Sequence, residues 1–353
     1  MDIIVNHENN MSARAPSSSK KQKTIGILTS GGDAVGMNSV IWAAYNEASI
    51  HGHKVLGIRN GYRGLLAQES FVLDLKNVDG IQDIGGTILG TARCEEMYTC
   101  AGRDQAVQSA KEMGLDALLI IGGEGSYAGA LEISKRNLPT YCVPGTIDND
   151  LYYSDYSIGF DTALNVVCEA VTRIRDTMRS HGRIGIVEVM GRHCGKIALD
   201  TALNCGADYV LIPEVETKEP FDLPNILKKI DYLREQGKNY AIIILAEGVN
   251  YDIPERSNVL RNLIAERIGS GVRASVLGYQ QRGGRPTAMD RGHAMNMGRL
   301  AMELIHAGEP SCAVGIRSGQ LFHQDIQIAL DTPRVFSRDL YNYINRIEDS
   351  RSL

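Results

Sequence analysis

Residues 117–130 read Ala-Leu-Leu-Ile-Ile-Gly-Gly-Glu-Gly-Ser-Tyr-Ala-Gly-Ala, ALLIIGGEGSYAGA. The opening run is apolar without alternation, which suits a strand buried on both faces, as in a parallel sheet. Glycines end the run, and the residues after Gly123 can open a helix. Strand, glycine turn, helix is the repeating unit of a doubly wound α/β fold. Ligands in such folds sit beyond the carboxyl ends of the strands.

The same grammar recurs along the chain. Further strand candidates are TIGILT (24–29), KVLGIR (54–59), TYCVPG (140–145), RIGIVEV (183–189), YVLIPE (209–214), YAIIILAEG (240–248), RASVLG (273–278) and CAVGIRSG (312–319). Between them lie helical periods. Met37, Val40, Ile41 and Ala44 share one face, as do Leu164, Val167, Val171 and Ile174. The expected fold class is α/β: two doubly wound, mostly parallel α/β/α sandwich lobes. The length of 353 residues is enough for two such lobes.

Composition excludes several classes. A net charge of −5 gives no broad basic face for nucleic acid, so anionic ligands must be met by local arginine clusters. No apolar run reaches the roughly 18 residues that span a bilayer. Residues 1–22 read as a disordered polar tail without a signal peptide's apolar region. The 7 cysteines are scattered and never form CxxC, which fits a reducing cytoplasm and gives no zinc spacing.

The chemistry concentrates after Thr29, Ile121, Val143, Val189 and Leu245, each at a strand end. After the first come Ser30, Gly31, Gly32 and Asp33; after the second, Gly122 to Gly129. Glycines let a backbone approach a ligand closely, and a helix N-terminus favours anions. Neither stretch is a Walker A loop or a dinucleotide fingerprint. Glu124 can face Mg²⁺ through water, or act only as a helix-opening acid. The third loop, Pro144-Gly-Thr-Ile-Asp-Asn-Asp150, puts Asp148 and Asp150 on one side of an extended backbone, or forms an ordinary Asx turn. Met190-Gly191-Arg192 brings a guanidinium that can steady a transferring phosphoryl group. Glu247 and the arginines at 273 and 282 complete the set. Taken together, glycine turns, acids and arginines at strand ends favour phosphoryl transfer over acyl or hydride transfer.

LTSGGDAVGMN, GGEGSYAGA, PGTIDND, MGRHCG and VLGYQQRGGRP resemble, in order and spacing, the motifs of the 6-phosphofructokinases from about Thr24 to near residue 330. The resemblance implies transfer of the γ-phosphoryl group of ATP to the 1-hydroxyl of fructose 6-phosphate, with Mg²⁺. It implies Asp148 as general base, Thr146 and Asp150 as its positioning partners, and Arg192 as the phosphoryl-steadying cation. Gly32, Tyr62, Arg93, Cys94, Gly123, Gly125, Ser126 and Gly129 fall at nucleotide positions, and Glu124 at the metal-linked one. Met190, Gly191, Glu247, Tyr279 and Arg282 fall at sugar-phosphate positions. Arg183 and Arg273 match arginines that reach in from a neighbouring subunit of a homo-oligomer, commonly a tetramer. It also implies a larger ATP lobe, 23–160 plus about 284–333, and a smaller fructose 6-phosphate lobe, 161–283 plus the C-terminal segment.

Pyrophosphate-dependent members resemble GGDD and PKTIDND, with Asp where this chain has Gly125 and Lys where it has Gly145. Two glycines leave room for the α-phosphate and nucleoside, which points to ATP. A catalytically silent regulatory subunit is the further alternative. The chain departs from the family pattern at Glu124, usually Asp, and at Tyr279, usually His. At positions matching a bacterial effector site it carries Trp42, Asn46, Leu75 and Gln236 where cationic donors are expected, while Arg175, Asp208 and Lys238 remain. The implied consequence is a weak or absent response to ADP and phosphoenolpyruvate.

Overall fold

The structure, a computed structural model, describes residues 22–215, 219–269 and 271–347. The expected tail at 1–22 therefore lies outside the described residues, apart from Gln22.

Strands are numbered in chain order: β1 (Thr24–Ser30), β2 (Lys54–Ile58), β3 (Ser70–Val72), β4 (Ala117–Gly122), β5 (Thr140–Pro144), β6 (Ile184–Val189), β7 (Tyr209–Leu211), β8 (Ala241–Ala246), β9 (Val272–Val276), β10 (Cys312–Arg317) and β11 (Gln320–Gln324). They build a 7-stranded sheet, β11-β10-β5-β4-β1-β2-β3, and a 4-stranded sheet, β7-β8-β6-β9. The smaller sheet is parallel throughout. The larger is parallel except at its two edges, where β3 and β11 run antiparallel to their neighbours. The fold is the expected α/β architecture.

Central strands are apolar because both faces are covered; every residue of β4 is buried. One cover is the helix Met37–Ile50, whose Met37, Val40, Ile41 and Ala44 are all fully buried. On the helix Phe160–His181, Val167 and Val171 are fully buried, while Leu164 and Ile174 pack partly buried against the same core. Each fully buried Val, Ile or Met contributes roughly 1.5–3 kcal/mol, so these stripes decide the docking of both helices.

The N-terminus of helix Phe160–His181 is held by Asp290, a fully buried acid from the helix Ala288–Ala307. Its carboxylate accepts from the backbone N–H groups of Gly159 at 2.6 Å and Thr162 at 2.7 Å, and from the Tyr156 hydroxyl at 2.9 Å. Orphan N–H groups at a helix start need such partners, and the helix dipole favours the negative charge.

β3 and β11 were not foreseen. The first is only 3 residues long, and the second, QLFHQ, has neither a continuous apolar run nor a regular alternation. The strand expected over 312–319 stops at Arg317, because Ser318 (φ 49°) and Gly319 (φ 75°) turn the chain back into β11. Two successive positive φ values are the signature of a tight hairpin turn.

β1 sits between β2 and β4 and pairs in parallel with both. The chain thus leaves β1 towards one flank and later returns on the other. Such a reversal leaves a crevice at the carboxyl ends of β1 and β4.

Candidate active site

That crevice holds a cavity of about 350 Å³, lined by loops from both sheets. β1 contributes Ser30, Gly31 and Gly32; β4 contributes Gly123, Glu124, Gly125, Ser126 and Gly129; β5 contributes Thr146, Asp148 and Asp150. Arg192 and Arg282 come from the side of the smaller sheet. Tyr62, Arg93 and Cys94 close another wall.

The glycine loops are shaped by close packing. A Cβ on Gly122 would lie 2.4 Å from Ser126 Oγ and 2.5 Å from the Ser30 carbonyl, so only glycine lets β1 and β4 meet there. In that contact Ser126 Oγ donates to the Ser30 carbonyl at 3.0 Å, and the buried Tyr62 hydroxyl donates to the Ser126 carbonyl at 2.5 Å. Ser126 and Tyr62 thus hold the wall together while facing the cavity. The Cys94 thiol is pushed up to about 11, first by burial and then by its contact with Glu96, which makes it a neutral wall rather than a nucleophile.

The two proposed donor-selecting glycines are not equivalent. Gly125 has open space around its missing side chain. A Cβ at Gly145 would instead lie 2.9 Å from Ile121 Cγ2 and 3.2 Å from Met37 Cε, in the core beneath the strand. Both glycines line the cavity, but only Gly125 has open space where a side chain would stand; at Gly145 that space is core packing.

Asp148 and Asp150 line the same cavity, and of the two forms open to the loop the extended one is not adopted. Asn149 between them is left-handed, with φ 50°, and its side-chain oxygen accepts from Ser157 N–H at 2.8 Å. Asp148 is 5% exposed, and one oxygen of each aspartate is buried without a hydrogen-bond partner. Burial, then the charge of Asp150, raises the Asp148 carboxyl to about 6, with Arg282 and Arg192 opposing. Asp150 is also raised, first by burial, with Glu124 adding to the rise and Arg334 and Arg192 opposing it. A carboxyl raised to about 6, with a free oxygen and beside guanidinium groups, is mostly ionised near neutral pH and suited to accept a proton there.

Arg192 is placed by a strained loop. Its φ is 52°, and its backbone N–H donates to Glu247 Oε1 at 2.8 Å; Gly191 N–H donates to the same oxygen at 3.1 Å. Glu247 therefore positions the loop and does not itself line the cavity. Met190 is held likewise, its N–H donating to Oε1 of the fully buried Gln281 at 3.0 Å. Gln281 stands in the YQQRGG motif but was not singled out from sequence. Arg282 crosses to the larger sheet, donating to the Asp33 carbonyl at 2.8 Å beside Gly32.

Glu124 is the first residue of the helix Glu124–Ser134, where the dipole favours an acid. It pairs with Arg334 at 2.7 Å, a partner from far along the chain that no motif announces. Its oxygen donors suit Mg²⁺ chemically. Among the described residues no group of three or more His, Cys, Asp or Glu could enclose a metal. The fit is thus to an ion that keeps waters and phosphate oxygens as most of its ligands.

Arg183, Arg273 and Tyr279 are not brought to this cavity. Arg183 precedes β6, and Arg273 pairs with Gly185 at the start of that strand, the end opposite Met190. Tyr279 is 84% exposed. At the altered effector positions, Lys238 pairs with Asp208, Arg175 donates to the Cys205 carbonyl, Asn46 caps the Trp42 carbonyl at 2.7 Å and Leu75 is exposed. The remaining cations there already have protein partners.

Comparison with known proteins agrees over about nine-tenths of the chain. The family described as Phosphofructokinase matches residues 24–305. The ATP-dependent 6-phosphofructokinase of Alkaliphilus metalliredigens is 46% identical over 319 residues, covering 90% of this chain and 97% of that protein. That of Clostridium botulinum (strain Loch Maree / Type A3) is 45% identical over 320 residues, covering 91% and 98%. Among solved structures, phosphofructokinase from Saccharomyces cerevisiae superposes with a TM-score of 0.80 at 32% identity, over 88% of this chain and 45% of that one. Pichia pastoris phosphofructokinase in the T-state gives 0.82 at 33%, over 92% and 39%. The chain spans less than half of each yeast chain but nearly all of each bacterial one. On that length-wide identity, and with its glycine loops and paired aspartates gathered at one crevice, the chain belongs to the phosphofructokinase family.

Proposed function

We propose that this protein is an ATP-dependent 6-phosphofructokinase, forming fructose 1,6-bisphosphate and ADP. The observation that carries the reading is Asp148: buried, raised to about 6, and holding an unpartnered oxygen in a cavity flanked by Arg192 and Arg282. Asp148 accepts the proton of the sugar's 1-hydroxyl as that oxygen attacks the γ-phosphorus. Thr146 and Asp150 orient the hydroxyl, and Arg192 steadies the charge on the transferring group.

The glycine loops after β1 and β4 take the nucleotide, with Arg93 and Cys94 on the far wall. Gly125 supports ATP as donor, since an Asp there would stand in open space against a phosphate. Glu124 would hold Mg²⁺, which when bound offsets phosphate charge. Met190, Gly191, Glu247, Tyr279 and Arg282 belong to the sugar-phosphate side. In this reading residues 23–160 with about 284–333 form the ATP lobe, and 161–283 with the C-terminal segment form the sugar lobe. Arg183 and Arg273, far from their own cavity, serve a neighbouring site in a homo-oligomer, a tetramer by family habit. A cytoplasmic location fits the cysteine usage; no described helix is long and apolar enough to cross a membrane.

The test is a coupled assay for fructose 1,6-bisphosphate with fructose 6-phosphate and Mg²⁺, with ATP or pyrophosphate in separate reactions. Turnover with ATP, reduced at least about 100-fold in Asp148→Asn, is expected. Turnover with pyrophosphate alone would overturn the donor, and no turnover with either would favour a silent subunit.

A further inference from the structure

The segment after the helix Ile326–Asp331 runs to the helix Arg338–Asn345 and brings Arg334 against Glu124, a residue of the cavity wall. The first of these helices packs on helix Glu124–Ser134, the second on β7 and the helix Lys196–Cys205. The segment therefore straps one sheet's layer to the other, and Arg334 sits where it passes the catalytic loops. Its guanidinium donates to Glu124 Oε2 at 2.7 Å, with both side chains about half exposed, 50% and 52%. Its positive charge also reaches Asp150.

Glu124 is thereby claimed twice. Oε2, bonded to the guanidinium, cannot offer the same lone pairs to a divalent cation or its water, and the guanidinium charge repels a cation that approaches Oε1. Side-chain length matters here. Glutamate carries its carboxylate one methylene, roughly 1–1.5 Å, further from the backbone than aspartate would, which extends its reach towards Arg334.

We propose that Arg334 is a positioning residue that competes with the divalent cation for Glu124, so that the Arg334–Glu124 pair opposes metal–nucleotide binding. The inference rests on the reading of Glu124 as the metal-facing carboxylate. It makes the strap a gauge of site occupancy: Glu124 faces Arg334 when the metal is absent and the metal when it is present. An exposed pair of this kind is a modest competitor, which keeps the enzyme usable at ordinary Mg²⁺ levels.

Isothermal titration of the full chain with a non-hydrolysable ATP analogue tests it, once with saturating Mg²⁺ and once with the metal chelated. The quantity read is the ratio of the two dissociation constants, the factor by which metal tightens the nucleotide. Arg334→Gln is expected to raise that ratio about two- to fivefold, the range an exposed ion pair can supply. Arg334→Lys should fall between. In a Glu124→Gln background, Arg334→Gln should leave the ratio unchanged. A ratio unchanged by Arg334→Gln in the native background would overturn the proposal, as would a change that persists without Glu124. Equal weakening with and without metal would instead make Arg334 a phosphate ligand and also overturn it. If metal does not tighten the nucleotide in the native protein and Glu124→Gln changes nothing, the assignment of Glu124 itself fails, a separate result.

Discussion

At the scale of single residues, Asp148 shows how activity and stability oppose each other. Its carboxyl is raised from the ordinary 3.8 to about 6 because burial disfavours the charge. The neutral form therefore favours folding: its contribution is complete below the ordinary value and lost as pH rises through about 6. At pH 7.5 the ionised form is the useful base and a cost to the fold. Asp148→Asn should thus be nearly inactive yet more stable, by about 1–3 kcal/mol at pH 7.5, and by about half that at pH 5. Urea unfolding at the two pH values checks this; a variant less stable than the parent at both would refute it. The same ionisation sets the acid limb of kcat/KM near 6. Replacing Asp150 by Asn should move that limb down, and Arg282→Gln should move it up. The aspartates were legible in sequence because a short motif carries both. Gln281 and Arg334 were not given roles: a buried amide reads like any glutamine, and Arg334 meets Glu124 only through folding.

At the scale of elements, uninterrupted apolar runs announced the buried parallel strands, since burial on both faces removes polar alternation. The edges were silent for the same reason in reverse: β3 has only 3 residues, and β11 is partly exposed with polar residues at three of its five positions. The left-handed Asn149, which excludes the extended path between the two acids, decides between two forms that the sequence left open. Between helices, the Asp290 carboxylate is a buried polar tie that joins Ala288–Ala307 to the start of Phe160–His181. Asp290→Ala leaves several buried donors unmatched and should lower stability by about 2–4 kcal/mol. Asp290→Asn, keeping one acceptor oxygen, should lose about half as much. Chemical denaturation midpoints decide it, and a loss below about 0.5 kcal/mol for the alanine variant would show that the tie is dispensable.

At the scale of the whole molecule, Arg183 and Arg273 lie at the end of the smaller sheet opposite Met190. If they serve a neighbour, two defective chains can repair each other. Asp148→Asn and Arg273→Ala proteins, each nearly inactive, should recover about a quarter of full activity when co-expressed in equal amounts, because a site then draws Asp148 and Arg273 from different chains. No recovery would place both residues in one chain's site. The order of strands has a further outcome during synthesis. β5 is completed at Pro144, but its partner β10 starts only at Cys312, about 170 residues later. At roughly 5–20 residues per second, that edge stays open for on the order of ten to thirty seconds while the smaller sheet is made. A chain halted before residue 312 would keep Thr140–Pro144, buried in the finished protein, as a bare apolar margin able to pair with another nascent chain.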